Sequence, residues 1–195
     1  MFYSIAEAVH AEVQIKKSRF IACVEPVQDR AAALKILDRL RAQHPGAAHV
    51  CWALMAGGQS AAVDDGEPSG TAGRPMLEVL RHQNLEGVLA TVVRYFGGVK
   101  LGAGGLVGAY TDAVAQAIKS AHKIPIIKRS VLNCRFAYSL EGLVRREVEQ
   151  AGARFLNVQH DSDVLCAIEV SEAELDHLVL RINDGAQGRV VWLGD

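Results

Sequence analysis

The chain has 195 residues, of which 50 % are hydrophobic and 22 % charged, which is typical of a globular protein with one large or two small domains and a real core. The formal net charge is −1, with a balance of +2 over residues 1–125 and −3 over residues 126–195. Basic residues dominate neither half, so the overall charge does not indicate nucleic-acid binding. Any contact with nucleic acid must be made by a local basic patch.

The cysteines and the N-terminus exclude further classes of protein. The four cysteines are far apart and lack Cys-x-x-Cys spacing, so neither a zinc knuckle nor a redox pair is predicted. Residues 1–7 lack the blocks of a signal peptide, and no run approaches the ~18 apolar residues of a membrane span. We expect a cytoplasmic protein with no membrane association. The cysteines lie in apolar runs and are interpreted as small hydrophobes: Cys23, Cys51, Cys134 and Cys166.

The first 60 residues predict two strands and a helix. Residues 13–28 have strand character, with the basic cluster Lys16-Lys17-Ser18 at the mouth of the strand. Asp29 is a plausible N-cap for a helix over 30–43, where leucines recur at helical spacing. A second apolar strand follows at 49–55.

The composition changes sharply between Asp64 and Pro75. These residues include three carboxylates, two hydroxyls, three glycines and an arginine, and nothing that could fill a core. The segment is therefore predicted to be a polar loop. Pro75 pre-sets φ for the first turn of a helix, so the loop should end at a helix N-terminus.

Residues 88–96 are the most β-prone run in the chain, and the length and continuity of this run predict a strand buried on both faces. A glycine loop and a helix over about 104–122 follow, and residues 123–125 end the helix. Six of the 18 glycines fall between Gly97 and Gly108, more than turns require, so something must approach this backbone closely.

We place a domain boundary near 125–130, which gives one domain over residues 1–125 and another over 126–195. The second domain has the order βαββαβ, the split-βαβ signature of a ferredoxin-like fold. Ser171 and Glu174 fit the spacing of a capping box before its second helix. The predicted elements are strands at 130–138, 153–160, 164–170 and 189–193, and helices at 141–151 and 172–183.

Asp64, Asp65 and Glu67 lie close together at the start of the polar loop. With His49 from the preceding strand, they could hold a hard cation such as Mg²⁺ through oxygen and nitrogen ligands. Alternatively, the carboxylates pair with nearby arginines and have a structural role. The sequence identifies no definite metal ligand, and both interpretations stay open. The arginines considered for such pairing are Arg74 and Arg94.

The second half of the polar loop, residues 69–74, offers hydroxyls, flexible backbone N–H groups and a guanidinium at the start of a helix. Such a helix N-terminus attracts phosphate because its unpaired N–H groups and the helix dipole favour an anion. The other interpretation is a capped helix with a rigid entry loop. The candidate ligand-binding residues here are Ser69, Gly70, Thr71 and Arg74.

Lys100 stands among the glycines that follow the 88–96 strand. The spacing matches neither Gly-x-x-x-x-Gly-Lys-Ser/Thr nor Gly-x-Gly-x-x-Gly, so nucleotide hydrolysis is not supported and no cofactor is predicted. A glycine nest with one lysine suits a nucleic-acid backbone. Tyr95 and Phe96 alternate faces, so at most one ring is available for base stacking. We expect Gly97, Gly98 and Gly102 to approach a bound anion, and assign Gly105 and Gly108 to helix packing.

Two long blocks, residues 64–73 and 94–102, resemble the signature blocks of the YigZ/IMPACT family, and residues 17–20 and 48–53 match its weaker blocks. The resemblance covers nearly the whole chain and implies an α+β protein of two domains. The first would resemble domain 2 of ribosomal protein S5, with helices on one face of a sheet. The second would resemble the ferredoxin-like last domain of elongation factor G.

The resemblance implies a short bacterial-type member. Eukaryotic members resemble translation regulators that relieve the inhibition caused by an initiation-factor kinase. They do so with an extra N-terminal domain, which we expect this chain to lack. The leading hypothesis is a non-enzymatic, translation-linked regulatory protein that binds RNA or the ribosome. The residues proposed for phosphate contact are Lys17, Arg19, Arg74, Arg94 and Lys100.

Two alternatives stay open. Some relatives carry a peptidase label, which would make the chain a metal-dependent hydrolase using the carboxylates and His49. The other alternative is a protein-interaction module for a partner in translation, in which the acidic second domain meets a basic protein; a solvated helix face explains the same charges. The acidic residues concerned are Glu141, Glu147, Glu149, Glu172 and Glu174.

Overall fold

The computed structural model describes residues 1–194 and divides into two compact units, the first Met1–Ile126 and the second beginning at Ile127. Both units combine helices with an antiparallel sheet, as the α+β prediction requires. Within the described residues, every helix is too short or too polar to span a membrane.

The first unit is built on a five-stranded sheet of order β2-β3-β6-β4-β5 in which all neighbours are antiparallel. A separate two-stranded ribbon pairs β1 with β7. The strands are β1 (Tyr3–Ile5), β2 (Val9–Ile15), β3 (Ser18–Pro26), β4 (His49–Ala56), β5 (Gln59–Val63), β6 (Val88–Tyr95) and β7 (Lys123–Pro125), and the helices are α1 (Arg30–Gln43), α2 (Gly73–His82) and α3 (Gly102–Ile118).

Helices cover both faces of this sheet. α2 and α3 share one core with alternate strand residues, in which Phe20, Met76 and Tyr110 are fully buried, while α1 packs on the opposite face against Trp52 and Leu89. The resemblance implied helices on one face only, and that detail is wrong here. The central strands β4 and β6 carry apolar side chains on both faces, so both faces need cover.

Residues 13–28 form a hairpin rather than one strand. The register pairs Ile15 with Ser18, so Lys16 and Lys17 are the two turn residues, with φ of 48° and 67°. Two positive φ values are typical of a type I′ turn, which normally carries Asn or Gly. The sequence lacks that signal, and this explains why the turn was missed.

The starts of the helices were predicted to different accuracies. Asp29 caps α1 as expected, because its carboxylate accepts the Ala32 N–H at 2.8 Å. α2 begins at Gly73, before Pro75, and α3 begins at Gly102 and ends at Ile118, short of the predicted His122. The strands β1, β5 and β7 were not predicted.

The second unit has the predicted βαββαβ order, and its antiparallel sheet runs β11-β8-β10-β9. α4 and α5 pack on the sheet around a core that includes Val144, Ile168 and Ile182. The elements are β8 (Arg129–Phe136), α4 (Glu141–Gln150), β9 (Arg154–His160), β10 (Val164–Ser171), α5 (Glu172–Ala186) and β11 (Val191–Leu193).

The predicted capping box of α5 is wrong. Ser171 occupies the N-cap position with extended φ and ψ, but its side chain makes no capping hydrogen bond. Ser171 is also the last residue of β10 and pairs with Arg129 in the sheet, while the Glu172 N–H donates to the Lys128 carbonyl. The sheet therefore governs this corner, and the local motif does not form.

Candidate functional site

The polar loop and the glycine loop of the first unit meet at one cavity of about 360 Å³, which we call the cleft. Glu67 and Pro68 approach it from the polar loop, and Phe96 and Lys100 from the segment between β6 and α3. The cleft is lined by His49, Glu67, Pro68, Arg94, Phe96, Lys100, Leu101, Gly102, Ala103 and Leu106.

A buried ion pair forms the floor of the cleft. An Nη of Arg94 lies 2.5 Å from Oε1 of Glu67, and the side chains are 6 % and 3 % exposed. The Tyr110 hydroxyl donates to the same carboxylate oxygen at 2.7 Å. The Arg94 guanidinium lies between two rings, 5.3 Å from the centroid of Phe20 and 5.6 Å from that of Phe96. Of the two roles considered for Glu67, the structure displays the structural one.

Asp64 closes the polar loop and caps α2. Its carboxylate accepts the backbone N–H groups of Gly70, Ala72 and Gly73 at 2.8, 3.0 and 2.8 Å. Partial burial alone would raise the pKa of this carboxyl, but the three hydrogen bonds together lower it. The N-terminus of α2, one of the predicted phosphate sites, is thus already occupied by a side chain of the protein.

Asp65 and His49 also have partners within the protein. Asp65 accepts the Val50 N–H at 2.7 Å and lies 3.6 Å from an Nη of Arg41. Nδ1 of His49 lies 2.8 Å from the Asp65 carbonyl oxygen, and its Nε2 lies 3.8 Å from Glu67. Across residues 1–194 no group of three or more His, Cys, Asp or Glu side chains could hold a metal ion.

Gly97 lies against the β2–β3 turn. A Cβ built at Gly97 would lie 2.0 Å from the carbonyl carbon of Lys17, and the Gly97 N–H donates to Ser18 Oγ at 3.1 Å. The close approach at Gly97 is therefore explained by the hairpin, which places Lys17 beside the glycine loop. Gly98 and Gly102 have φ of +83° and +75°, and no atom lies within 4 Å of an added Cβ.

The assignment of Gly105 and Gly108 to helix packing is wrong. Both are exposed, and an added Cβ at Gly108 meets nothing within 4 Å, while at Gly105 it meets only Leu101, one turn earlier. Ala109 and Ala113, from the opposite side of α3, are buried in the core. The helix packs through its alanines, and its glycines lie on the surface.

The predicted phosphate-contact residues fall into separate groups. Lys17 and Lys100 are exposed near the glycine loop, and neither forms an ion pair within residues 1–194. Arg19 is paired with Glu12 at 2.8 Å. Arg94 is buried, whereas Arg74 is exposed on the first turn of α2 and lines a second depression with Gly70. Ser69 is exposed, and Thr71 is buried and donates a hydrogen bond to the Pro68 carbonyl.

Phe96 and the start of α3 complete the rim of the cleft. Phe96 is 53 % exposed, whereas Tyr95 is half-buried on the α1 face and hydrogen-bonded to His44, so one of the two rings is presented as predicted. Within the part of the chain that the structure describes, no side chain caps the N-terminus of α3. Sequence reasoning did not anticipate Leu101 and Ala103 in the lining, because only the helix start at Gly102 reveals them.

The buried thiol nearest the cleft is not a nucleophile. Cys51 donates to the Asp64 carbonyl at 2.9 Å, and its Sγ lies 3.3 Å from the Tyr110 hydroxyl. Burial raises the pKa of Cys51 to about 12. Because the thiolate is the reactive form, the cleft offers no activated cysteine.

Three of the five acidic residues proposed for a basic partner, Glu141, Glu147 and Glu174, form ion pairs inside the second unit, whereas Glu149 and Glu172 are exposed and form none within residues 1–194. Glu141 pairs with Arg145 at 2.7 Å and lies 3.1 Å from His160 Nε2. Glu147 is buried and lies 3.2 Å from Arg181 Nε, which joins α4 to α5. Glu147 is therefore not presented to a basic partner.

The sequence relationships agree with the fold. A family model described as the Impact N-terminal domain matches residues 16–118, which include both loops of the cleft. The chain belongs to the IMPACT family. A second model, described as a domain of unknown function (DUF1949), matches residues 134–189.

Three relatives show how far the IMPACT family resemblance extends. An IMPACT family member of Haemophilus influenzae is 34 % identical over 94 % of this chain and 92 % of the relative. YigZ of Escherichia coli is 35 % identical, covering 92 % and 91 %, and YvyE of Bacillus subtilis is 35 % identical, covering 89 % and 81 %. A crystal structure described as that of a hypothetical protein is 31 % identical, with a TM-score of 0.68 over 100 % of this chain and 97 % of the other.

Proposed function

We propose that this IMPACT family member is a non-enzymatic regulatory protein linked to translation, and that it binds RNA through the cleft of its first unit. One observation carries the proposal: an exposed aromatic ring, Phe96, and an exposed lysine, Lys100, stand beside the uncapped N-terminus of α3. Lysine gives sequence-independent affinity for phosphate, an aromatic ring stacks on any base, and a helix N-terminus favours an anion.

The neighbouring charges support the same surface. The hairpin turn brings Lys17 next to Gly97, and the side chains of both turn residues, Lys16 and Lys17, are exposed. Lys17 and Lys100 thus flank the glycine loop from two different segments, in a chain whose net charge is only −1. A local patch of this kind is what a nearly neutral protein needs to contact a phosphate backbone.

The link to translation rests on the family and on the fold. The chain belongs to a family related to translation regulators. The family resemblance also implies that its two units are similar to domains of a ribosomal protein and an elongation factor. Fold similarity is weak support for function by itself. The cleft supplies the chemistry that makes RNA the favoured ligand.

A binding titration against a structured RNA at several salt concentrations tests the proposal. We expect affinity to fall with salt, and Lys100→Ala to weaken binding and to reduce the slope of log K against log salt by about 1. Lys35→Ala, an exposed lysine on α1 at the other face of the sheet, is the matched control and should change neither. No affinity, or affinity indifferent to salt and to Lys100→Ala, would refute the proposal.

A further inference from the structure

We propose that the cleft holds one unpaired nucleotide, with its base on the ring of Phe96 and its phosphate at the start of α3 beside Lys100. The inference rests on the proposed function and narrows it to single-stranded or bulged RNA. It follows from the size of the cleft, the way in which Phe96 is held, and the donors at one end of the lining.

The size of the cleft limits its occupant. A volume of about 360 Å³ lies near the lower end of the range of about 300–1,000 Å³ for small-molecule sites. This is room for a group the size of a nucleotide, and a base-paired duplex is far too wide to enter. A base can enter only after leaving its stack, which is least costly where it is already unpaired.

Phe96 is exposed but firmly supported. Its ring is 53 % exposed, and the Arg94 guanidinium lies 5.6 Å from its centroid. Arg94 is itself fixed by the ion pair with Glu67 and by the ring of Phe20 at 5.3 Å. Phe96 is therefore a pre-formed platform for stacking. Because Arg94, which supports the ring, is already held in place, little conformational entropy is lost when a base binds.

The donors lie at the α3 end of the lining. Lys100, Gly102 and Ala103 line the cleft, and no side chain among residues 1–194 caps α3. At Gly102 the space where a Cβ would stand is open, so the start of the helix is accessible to a ligand. These groups favour a phosphate by charge, by hydrogen bonding and by the helix dipole.

The Arg94 side chain, which forms part of the cleft wall, leaves one donor unpaired within residues 1–194. The Arg94 side chain lines the cleft and is 6 % exposed, yet its Nε has no hydrogen-bond partner within the described residues. Buried donors are normally paired, and an unpaired one calls for an explanation. Glu67 is the carboxylate of the lining, and it lies on the floor of the cleft, paired with Arg94. Because a carboxylate repels a phosphate, a bound phosphate is favoured at the α3 end.

Fluorescence anisotropy with a labelled oligouridylate, alone or annealed to its oligoadenylate complement, tests the inference. We expect the single strand to bind more tightly than the duplex, and uridine 5′-monophosphate to displace it while uridine does not. Phe96→Ala should weaken single-strand binding about fivefold or more, and Phe96→Trp should retain it. Leu34→Ala, which truncates an apolar side chain 44 % exposed on α1, should have no effect.

The outcomes separate the two proposals. Equal binding of single strand and duplex, or salt-dependent RNA binding indifferent to Phe96→Ala, overturns the nucleotide pocket and leaves RNA binding by the lysines standing. The absence of any RNA binding overturns both. Thermal unfolding of Phe96→Ala verifies that the variant is folded, and retained affinity in Phe96→Trp distinguishes loss of stacking from loss of structure.

Discussion

Glu67 and Arg94 are 27 residues apart in sequence and form a buried ion pair that joins the polar loop to the central strand of the sheet. Tyr110 from α3 donates to the same carboxylate. Three elements are thus tied together at the floor of the cleft. The pair positions Phe96 through Arg94, which makes it the structural foundation of the proposed binding surface.

The first prediction concerns this ion pair. Glu67→Gln leaves the Arg94 charge buried without a counter-charge, and we expect it to lower the free energy of unfolding by about 3–5 kcal/mol. Urea denaturation followed by circular dichroism measures the change. The control Glu12→Gln breaks the solvent-exposed pair with Arg19 and should change the free energy of unfolding far less, because water screens an exposed pair. Equal effects of the two variants would contradict the buried role of Glu67.

The second prediction concerns the Asp64 cap. Asp64 accepts hydrogen bonds from three backbone N–H groups, whereas Asp29 caps α1 through one. Asp64→Ala should therefore lower the free energy of unfolding by more than Asp29→Ala, for which the typical loss is about 1 kcal/mol. Urea midpoints of the two variants, measured at neutral pH against the wild type, provide the comparison. A smaller loss for Asp64→Ala would show that the cap contributes little.

The pH dependence of the same cap forms a third prediction. The pKa of Asp64 is lower in the folded protein than in the unfolded chain, so its contribution is fully present above the unfolded value and is lost as the pH falls through the folded one. The stability difference between the wild type and Asp64→Asn should therefore be largest at neutral pH and shrink below about pH 4. A difference that stays constant into acid would contradict the charged cap.

The fourth prediction contrasts two glycines. Gly97→Ala places a methyl group against the backbone of Lys17 and should destabilise by about 1–3 kcal/mol. Gly108→Ala adds a methyl group in open space within α3 and should stabilise by about 0.5–1 kcal/mol. Thermal unfolding of both variants tests the pair. Stabilisation by Gly97→Ala would show that the hairpin does not approach the glycine loop as described.

The fifth prediction concerns Cys51. Because the thiol is buried and its pKa is raised to about 12, iodoacetamide at neutral pH should leave it unmodified in the native protein and alkylate it in urea. Peptide mass spectrometry identifies the modified site. Native labelling of Cys51 at the rate found in urea would contradict a buried, neutral thiol.

Local pattern was sufficient for much of the fold. β6 was predicted as a strand buried on both faces because the run from residue 88 is long, β-prone and largely apolar, and the βαββαβ order of the second unit followed from the pattern of its segments. The hairpin at Lys16 and Lys17 was missed because neither residue signals positive φ.

The chemistry of the cleft was less accessible from sequence. The polar loop and the glycine loop were expected to form one composite cleft, and they do line one cavity. Arg94 was expected to contact phosphate, but its side chain is buried and its charge is paired with Glu67. The sequence could not show this, because the burial of Arg94 depends on packing between distant segments. Gly97 and Gly98 are adjacent in sequence, yet only Gly97 meets another segment, a distinction that needs tertiary structure.

Mapping the backbone amide chemical shifts of the isotope-labelled protein during titration with single-stranded RNA tests the central claim most directly. We expect the shifts to concentrate at residues 67–70 and 96–103 and at the hairpin turn, and to disappear as salt is raised. Shifts confined to α1 or to the second unit, or no shifts at all, would contradict RNA binding at the cleft.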